Sequence, residues 1–198
     1  VKIYTRRGDD GTTGLLFGGR VAKDSAIPAA CGDVDEAQAA LGVARAATEP
    51  GSELDLLLVG LERDLWVLMA ELATAADNRH RLVQGRTLVS AEMVGALEPL
   101  IDGVTGRFDP PTGFVLPGQT QAAAALDVAR AVVRRAERSA VAVAADGSSV
   151  VAYLNRLSDL LWTLARWQEG ASLPARDGRH GPDYRPDPDS RLDPEPPE

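Results

Sequence analysis

Seven of the eight leucines between positions 54 and 72 constrain this chain most. Leu54, Leu57, Leu58, Leu61, Leu65, Leu68 and Leu72 recur three or four residues apart, which lines them along one side of an α-helix. Such a stripe has to be buried against other elements. Ser52 stands where an N-cap belongs, and the helix is expected to run to about Thr74. Before it, Asp33 to Ala47 (DVDEAQAALGVARAA) is alanine-rich and reads as helical. Ser90 caps a third helix near 91–103, and Gly103, Gly106, Pro110 and Pro111 then break the chain. A fourth helix is expected from about Gln121 to Ala145. A fifth is expected from Ser148 to Gln168, closing on Gly170 as a C′ residue. Residues 1–30 are rich in Gly and Thr without a clear period and read as loop. Strand signals are weak and no internal repeat is visible. The expected fold class is all-α, a five-helix bundle preceded by a Gly/Thr-rich loop.

The chain has 198 residues, which suits one domain. The division expected is a folded unit over 1–170 and a Pro/Asp-rich tail over 171–198, which holds 7 of the 13 prolines. That tail is too poor in apolar residues to offset its ordering entropy and reads as disordered or as an extended strap. A net charge of −8 argues against nucleic acid as a partner, because that needs a broad basic face. No apolar run is long enough for a membrane span. The segment VKIYTRRGDD lacks the apolar stretch of a signal peptide, and a start at Val1 reads as a chain missing its initiator or a few residues. Cys31 is the single cysteine, so no disulfide or cysteine-based zinc site can form within the chain, which suits a reducing cytoplasm.

Two polar stripes stand out on the last two helices. At 100° per residue, Asp127, Arg130, Arg134, Glu137 and Arg138 share an arc of about 100° on the fourth helix. Leu126, Ala129, Val132, Val133, Ala136 and Ala140 lie opposite them. A solvated face is the ordinary reading of such a stripe. Arginines at i, i+4 and i+8, however, repel one another unless an anion or a partner sits among them. On the fifth helix Asn155, Asp159 and Arg166 share a face. Facing polar stripes in a bundle suggest an anion site or a subunit interface. Residues 5–13 (TRRGDDGTT) can cradle phosphates with backbone amides, threonine hydroxyls and the Arg6 and Arg7 charges, although a surface hairpin would read the same. Lys23 adds a cation.

Other chemistries lack their residues. Only His80 and His180 are present and no E-x-x-H occurs, so neither a di-iron carboxylate bundle nor a resident metal site is expected. GxxxxGK[ST], GxSxG, HExxH and GxGxxG are all missing. Cys31 has no base beside it and reads as a small buried apolar residue.

Four segments in this order carry a specific resemblance: TRRGDDGTTGLLFGGRVAKD, GDVDEAQAALG, FVLPGQTQAAAALDVARAVVRRAER and YLNRLSDLLWTLARW. Over about residues 3–169 the chain resembles the PduO-type ATP:cob(I)alamin adenosyltransferases. The resemblance implies a homotrimer of ferritin-like, up-down five-helix bundles, with ATP and corrinoid bound at subunit interfaces. It implies that Thr5, Arg6, Arg7, Gly8 and Thr13 belong to the loop around ATP and that Lys23 meets the triphosphate. Arg134, Arg135, Glu137, Arg138 and Asn155 would surround the nucleotide and its magnesium. Asp35 and Arg130 would form an ion pair between subunits, and Phe114 would pack under the corrin ring. Cys31, Gln119 and Asp127 depart from the common pattern, where an aromatic, a Gly and a His stand.

The activity implied is transfer of the 5′-deoxyadenosyl group of ATP to the cobalt of cob(I)alamin, with Arg134 and Phe114 closest to the chemistry. Cob(I)alamin is itself a strong nucleophile, so the missing base and cysteine motifs agree with that activity. A flavin-dependent reductase and an adenosylcobalamin-dependent enzyme are the implied partners. A bundle that only binds, delivers or senses these ligands is the alternative. The full set of triphosphate residues favours the enzyme.

Overall fold

The computed structural model describes residues 2–175. It is mostly helical. Its α-helices are α1 (Ala26–Ala46), α2 (Glu53–Leu72), α3 (Ala91–Thr105), α4 (Gln121–Val141) and α5 (Val150–Glu169). Ser52, Ser90 and Thr120 each accept a hydrogen bond from the third backbone N–H after them, which fixes the starts of α2, α3 and α4. Helix α1 begins seven residues earlier than its composition suggests. Pro28 falls in its first turn, where no intrahelical N–H is required, so it opens the helix instead of interrupting it. Helix α4 ends at Val141, short of the expected Ala145.

Short strands are the second difference from the sequence reading. Strand β1 (Thr12–Gly14) pairs antiparallel with β2 (Arg20–Ala22), with Thr13 opposite Val21. Strand β3 (Val115–Leu116) pairs with β4 (Leu173–Pro174). The chain therefore stays ordered past Gly170. The rest of the expected tail, 176–198, lies outside the described residues. Two- and three-residue strands carry no alternation long enough to read.

Helix α1 packs between α2 and α4, α5 packs on α4, and α3 packs on α5. The Tyr153 hydroxyl on α5 donates to Asp64 on α2 at 2.7 Å, closing the ring of four long helices. Leu58, Leu65, Leu68, Leu126, Leu154, Leu157, Leu161 and Leu164 fill the core with no exposure, as the leucine stripe requires. The buried Glu71 carboxylate accepts from the Val89 N–H, the Ser148 hydroxyl and the Arg79 guanidinium, tying the end of α2 to two loops. The chain thus has two ends. One gathers the start of α1, the ends of α2 and α4, the start of α5 and the β1–β2 hairpin. The other gathers the start of α4, the end of α5 and the β3–β4 pair. Among the described residues no helix is long and apolar enough to cross a membrane.

Candidate functional site

The N-terminal loop is built on its hairpin. Thr5, Arg6 and Arg7 are exposed, Gly8 is half-buried, and Thr13 sits in β1. Arg6 has φ +60 and lies over the Tyr4 ring at 5.4 Å. A Cβ on Gly8 would stand 2.9 Å from Lys23 Nζ and 3.1 Å from Thr12 O, so a side chain there would displace the lysine. The fold thus sets a cation against the glycine turn of TRRG, although fourteen intervening residues separate them in sequence. Arg20, which the sequence reading passed over, donates to Arg7 O at 2.7 Å and to Thr12 Oγ1 at 2.9 Å. The Thr12 backbone N–H, and then its hydroxyl, hold the Asp10 carboxyl below the usual carboxylate range. At the hairpin tip Arg81 donates to Phe17 O at 3.1 Å and lies over the Phe17 ring.

The same end of the bundle carries the α4 stripe. Arg134 and Arg138 are exposed, and neither meets a carboxylate among the described residues; Arg138 donates only to Arg134 O. Glu137 accepts from Asn155 Nδ2 at 3.1 Å, joining the two expected nucleotide residues across α4 and α5. Arg135 points elsewhere. It pairs with Asp33 and Glu36 on α1, and these carboxylates raise its affinity for its proton. No hydrogen bond or ion pair among the described residues joins the loop to Arg134 or Arg138.

The opposite end carries the aromatic. Phe114 is 92% exposed, on a proline-rich turn beside a cleft of about 560 Å³. Its carbonyl accepts from the Ala175 N–H at 2.8 Å, so the residue after β4 holds its backbone. Asp127, Arg130, Trp162 and Arg166 line the same cleft. Asp127 corrects the expectation of an open polar stripe. It is buried and accepts from Arg166 Nη2, which also donates to Glu169 at 2.9 Å. Asp159, on the expected face with Arg166, is exposed instead. Arg130 Nε reaches Asp127 at 3.3 Å, while Asp35 is exposed on α1 and does not meet Arg130 within the chain. Cys31 is partly buried and lies against Met69 O; burial pushes its thiol up to about 11.

The two ends differ in character: one is cationic and rich in free donors, the other offers an exposed aromatic over a cleft. Along α5, Asn155 and Arg166 stand about 16 Å apart at 1.5 Å per residue. The sequence profile of the cobalamin adenosyltransferase family matches residues 3–168. This chain belongs to the cobalamin adenosyltransferase family. Family members of this kind include the corrinoid adenosyltransferase of Mycobacterium tuberculosis, 42% identical over 83% of this chain and 87% of that protein. That of Citrobacter freundii is 41% identical over 85% and 95%. A variant PduO-type ATP:corrinoid adenosyltransferase of Lactobacillus reuteri, complexed with cobalamin and ATP, superposes with a TM-score of 0.79 at 30% identity. That match covers 89% of this chain and all of that one. His80 Nδ1 lies 2.9 Å from Asp77 O, within its own turn.

Proposed function

We infer that this chain transfers the 5′-deoxyadenosyl group of ATP to the cobalt of cob(I)alamin and releases triphosphate. The observation that carries this reading is the Lys23–Gly8 contact, set at the same end as the Glu137–Asn155 pair in a chain matched by its family over residues 3–168. The cobalt electron pair attacks C5′, the Co–C bond forms, the C5′–O bond breaks, and that electron pair leaves on the triphosphate. Negative charge therefore grows on the leaving group. Arg6, Arg7, Lys23, Arg134 and Arg138 are assigned to meet it, with Thr5, Gly8 and Thr13 supplying neutral donors. Charge-assisted contacts of this kind contribute about 1.5–3 kcal/mol each. Orientation of C5′ toward cobalt contributes roughly 7–11 kcal/mol more.

No group of three or more His, Cys, Asp or Glu that could cage a metal occurs among the described residues. Magnesium fits this site as the ion of the nucleotide, with Glu137 adding one carboxylate to the phosphate oxygens. Arg135, held by α1, is assigned to support α4 more than to touch phosphate.

The assembly proposed is a homotrimer in the cytoplasm, with the two substrates between subunits. The free guanidiniums of Arg134 and Arg138 and the exposed Asp35 support it, since each can be completed by a neighbouring copy. Phe114 is assigned to the lower face of the corrin. An apolar ring there excludes an axial base and makes cob(II)alamin easier to reduce by a flavin-dependent reductase. An adenosylcobalamin-dependent enzyme would take the product.

One anaerobic assay tests the reading. Chemically reduced cobalamin, ATP and magnesium are mixed with the protein, and the absorbance spectrum is followed. Formation of the adenosylated, light-sensitive species with stoichiometric triphosphate is expected. Ligand binding without that conversion would leave a delivery or sensor protein.

A further inference from the structure

Arg20 is half-exposed on a three-residue strand, yet it makes the densest set of contacts in the N-terminal segment. Its guanidinium spans two chain segments: Nε and Nη2 donate to the Thr12 hydroxyl in β1, and Nη2 also donates to Arg7 O in the TRRG loop at 2.7 Å. Asp10 lies 3.5 Å away and offsets its charge. Asp10 in turn accepts from both the backbone N–H and the hydroxyl of Thr12. Across the hairpin, Arg20 pairs with Gly14, so its long side chain runs diagonally over the same face to Thr12. The strand that carries Arg20 also delivers Lys23, whose N–H is fastened to Gly11 O at 2.9 Å and whose ammonium packs on Gly8.

We propose that Arg20 is a positioning residue for the nucleotide: it splints the Arg7 carbonyl to the β1–β2 hairpin, so that the TRRG loop and Lys23 are presented as one preformed surface. This rests on the assignment of that loop to ATP. Its Nε and Nη2 are committed to protein oxygens and Asp10 offsets its charge, so it acts through geometry and not as a phosphate contact. A loop whose flanking residues are otherwise exposed would have to be ordered anew by each nucleotide without this brace.

The splint needs the reach of the guanidinium. Lysine preserves the charge but lacks the Nε donor to Thr12, and its stem ends one atom short of Nη2, the nitrogen that bridges the Thr12 hydroxyl and Arg7 O. Steady-state kinetics of the full chain separate these roles. Arg20→Ala is expected to raise KM for ATP by about tenfold, equivalent to 1.4 kcal/mol, and to leave KM for cobalamin and the melting temperature unchanged. Arg20→Lys is expected to resemble Arg20→Ala at every salt concentration. Thr12→Val, which removes the shared acceptor without altering charge, is expected to shift KM for ATP in the same direction. Full rescue by Arg20→Lys would overturn the proposal in favour of a charge contact with phosphate. Wild-type ATP kinetics in Arg20→Ala would overturn it outright. Lys23→Ala serves as the reference: a lost ATP affinity there with an intact Arg20→Ala sinks only the splint, whereas an unaffected Lys23→Ala sinks the loop assignment on which the splint stands.

Discussion

A single side chain can be buried as a neutral group and reveal itself only at the edge of the pH range. Tyr153 is fully buried in the core, and burial, followed by the Asp64 carboxylate beside it, pushes its phenol well above the ordinary tyrosine value. The unfolded chain ionises that tyrosine near pH 10 while the folded chain does not. A raised folded value contributes stability that is intact below the unfolded value and lost as pH rises past it. Unfolding by urea should therefore become easier above about pH 10. Tyr153→Phe should lose about 0.5–1.5 kcal/mol at neutral pH and show a flatter alkaline decline. Phe114 is the opposite case, an aromatic that the core does not claim. Phe114→Ala is expected to leave ATP affinity unchanged and to lower turnover from cob(II)alamin sharply, while melting within a degree or two of the parent. Unaltered turnover would remove its assignment to the corrin face.

Between elements, the α4–α5 seam holds the fold and the cleft together. Arg166 is 2% exposed and donates to Asp127 on α4 and to Glu169 within α5, and Ser172 completes the Glu169 carboxylate at 2.9 Å. Truncating the central cation leaves two carboxylates in a dry seam, a change that typically costs about 3–5 kcal/mol. Arg166→Ala should therefore lower the melting temperature markedly. Because the seam lines the cleft under the Phe114 turn, cobalamin handling should weaken with it, and a thermal melt identical to the parent would refute the ion network. The hairpin works at the same scale. Phe17 holds φ +65, and the Arg81 contacts to its ring and carbonyl over-determine that conformation.

For the molecule as a whole, the separation of two chemistries matters most. Cations and the Glu137–Asn155 pair lie at one end, and Phe114 with its cleft lies at the other, so under the proposed function one chain carries two half-sites. In the proposed trimer, unlike ends of neighbouring copies would meet, and the proposed Asp35–Arg130 contact belongs to that scale. Arg130→Ala is expected to cost about 2–5 kcal/mol at the interface. It should be seen either as a shift to smaller species in sedimentation at low protein concentration or as a raised KM for cobalamin. Sedimentation and kinetics both at parent values would count against the pairing.

The residues themselves determined the helices, because a leucine stripe and a Ser or Thr cap act within a few neighbouring positions. Helices α2 and α3 could be read almost to their ends, and the ordered motifs were enough for the family and its activity. Charge partners were not legible. Asp127 looked like one more polar residue on an open stripe, yet α5 approaches from 39 residues away and buries it against Arg166. Arg135 sat in an arginine-rich run aimed at phosphate, yet α1, about a hundred residues distant, supplies Asp33 and Glu36. Arg20 carried no sequence signal, since its worth comes from a hairpin register set by two three-residue strands. Helical periodicity is a local property of the chain. Which side chain neutralises a charge depends on which distant segment packs beside it, and only the tertiary structure decides that.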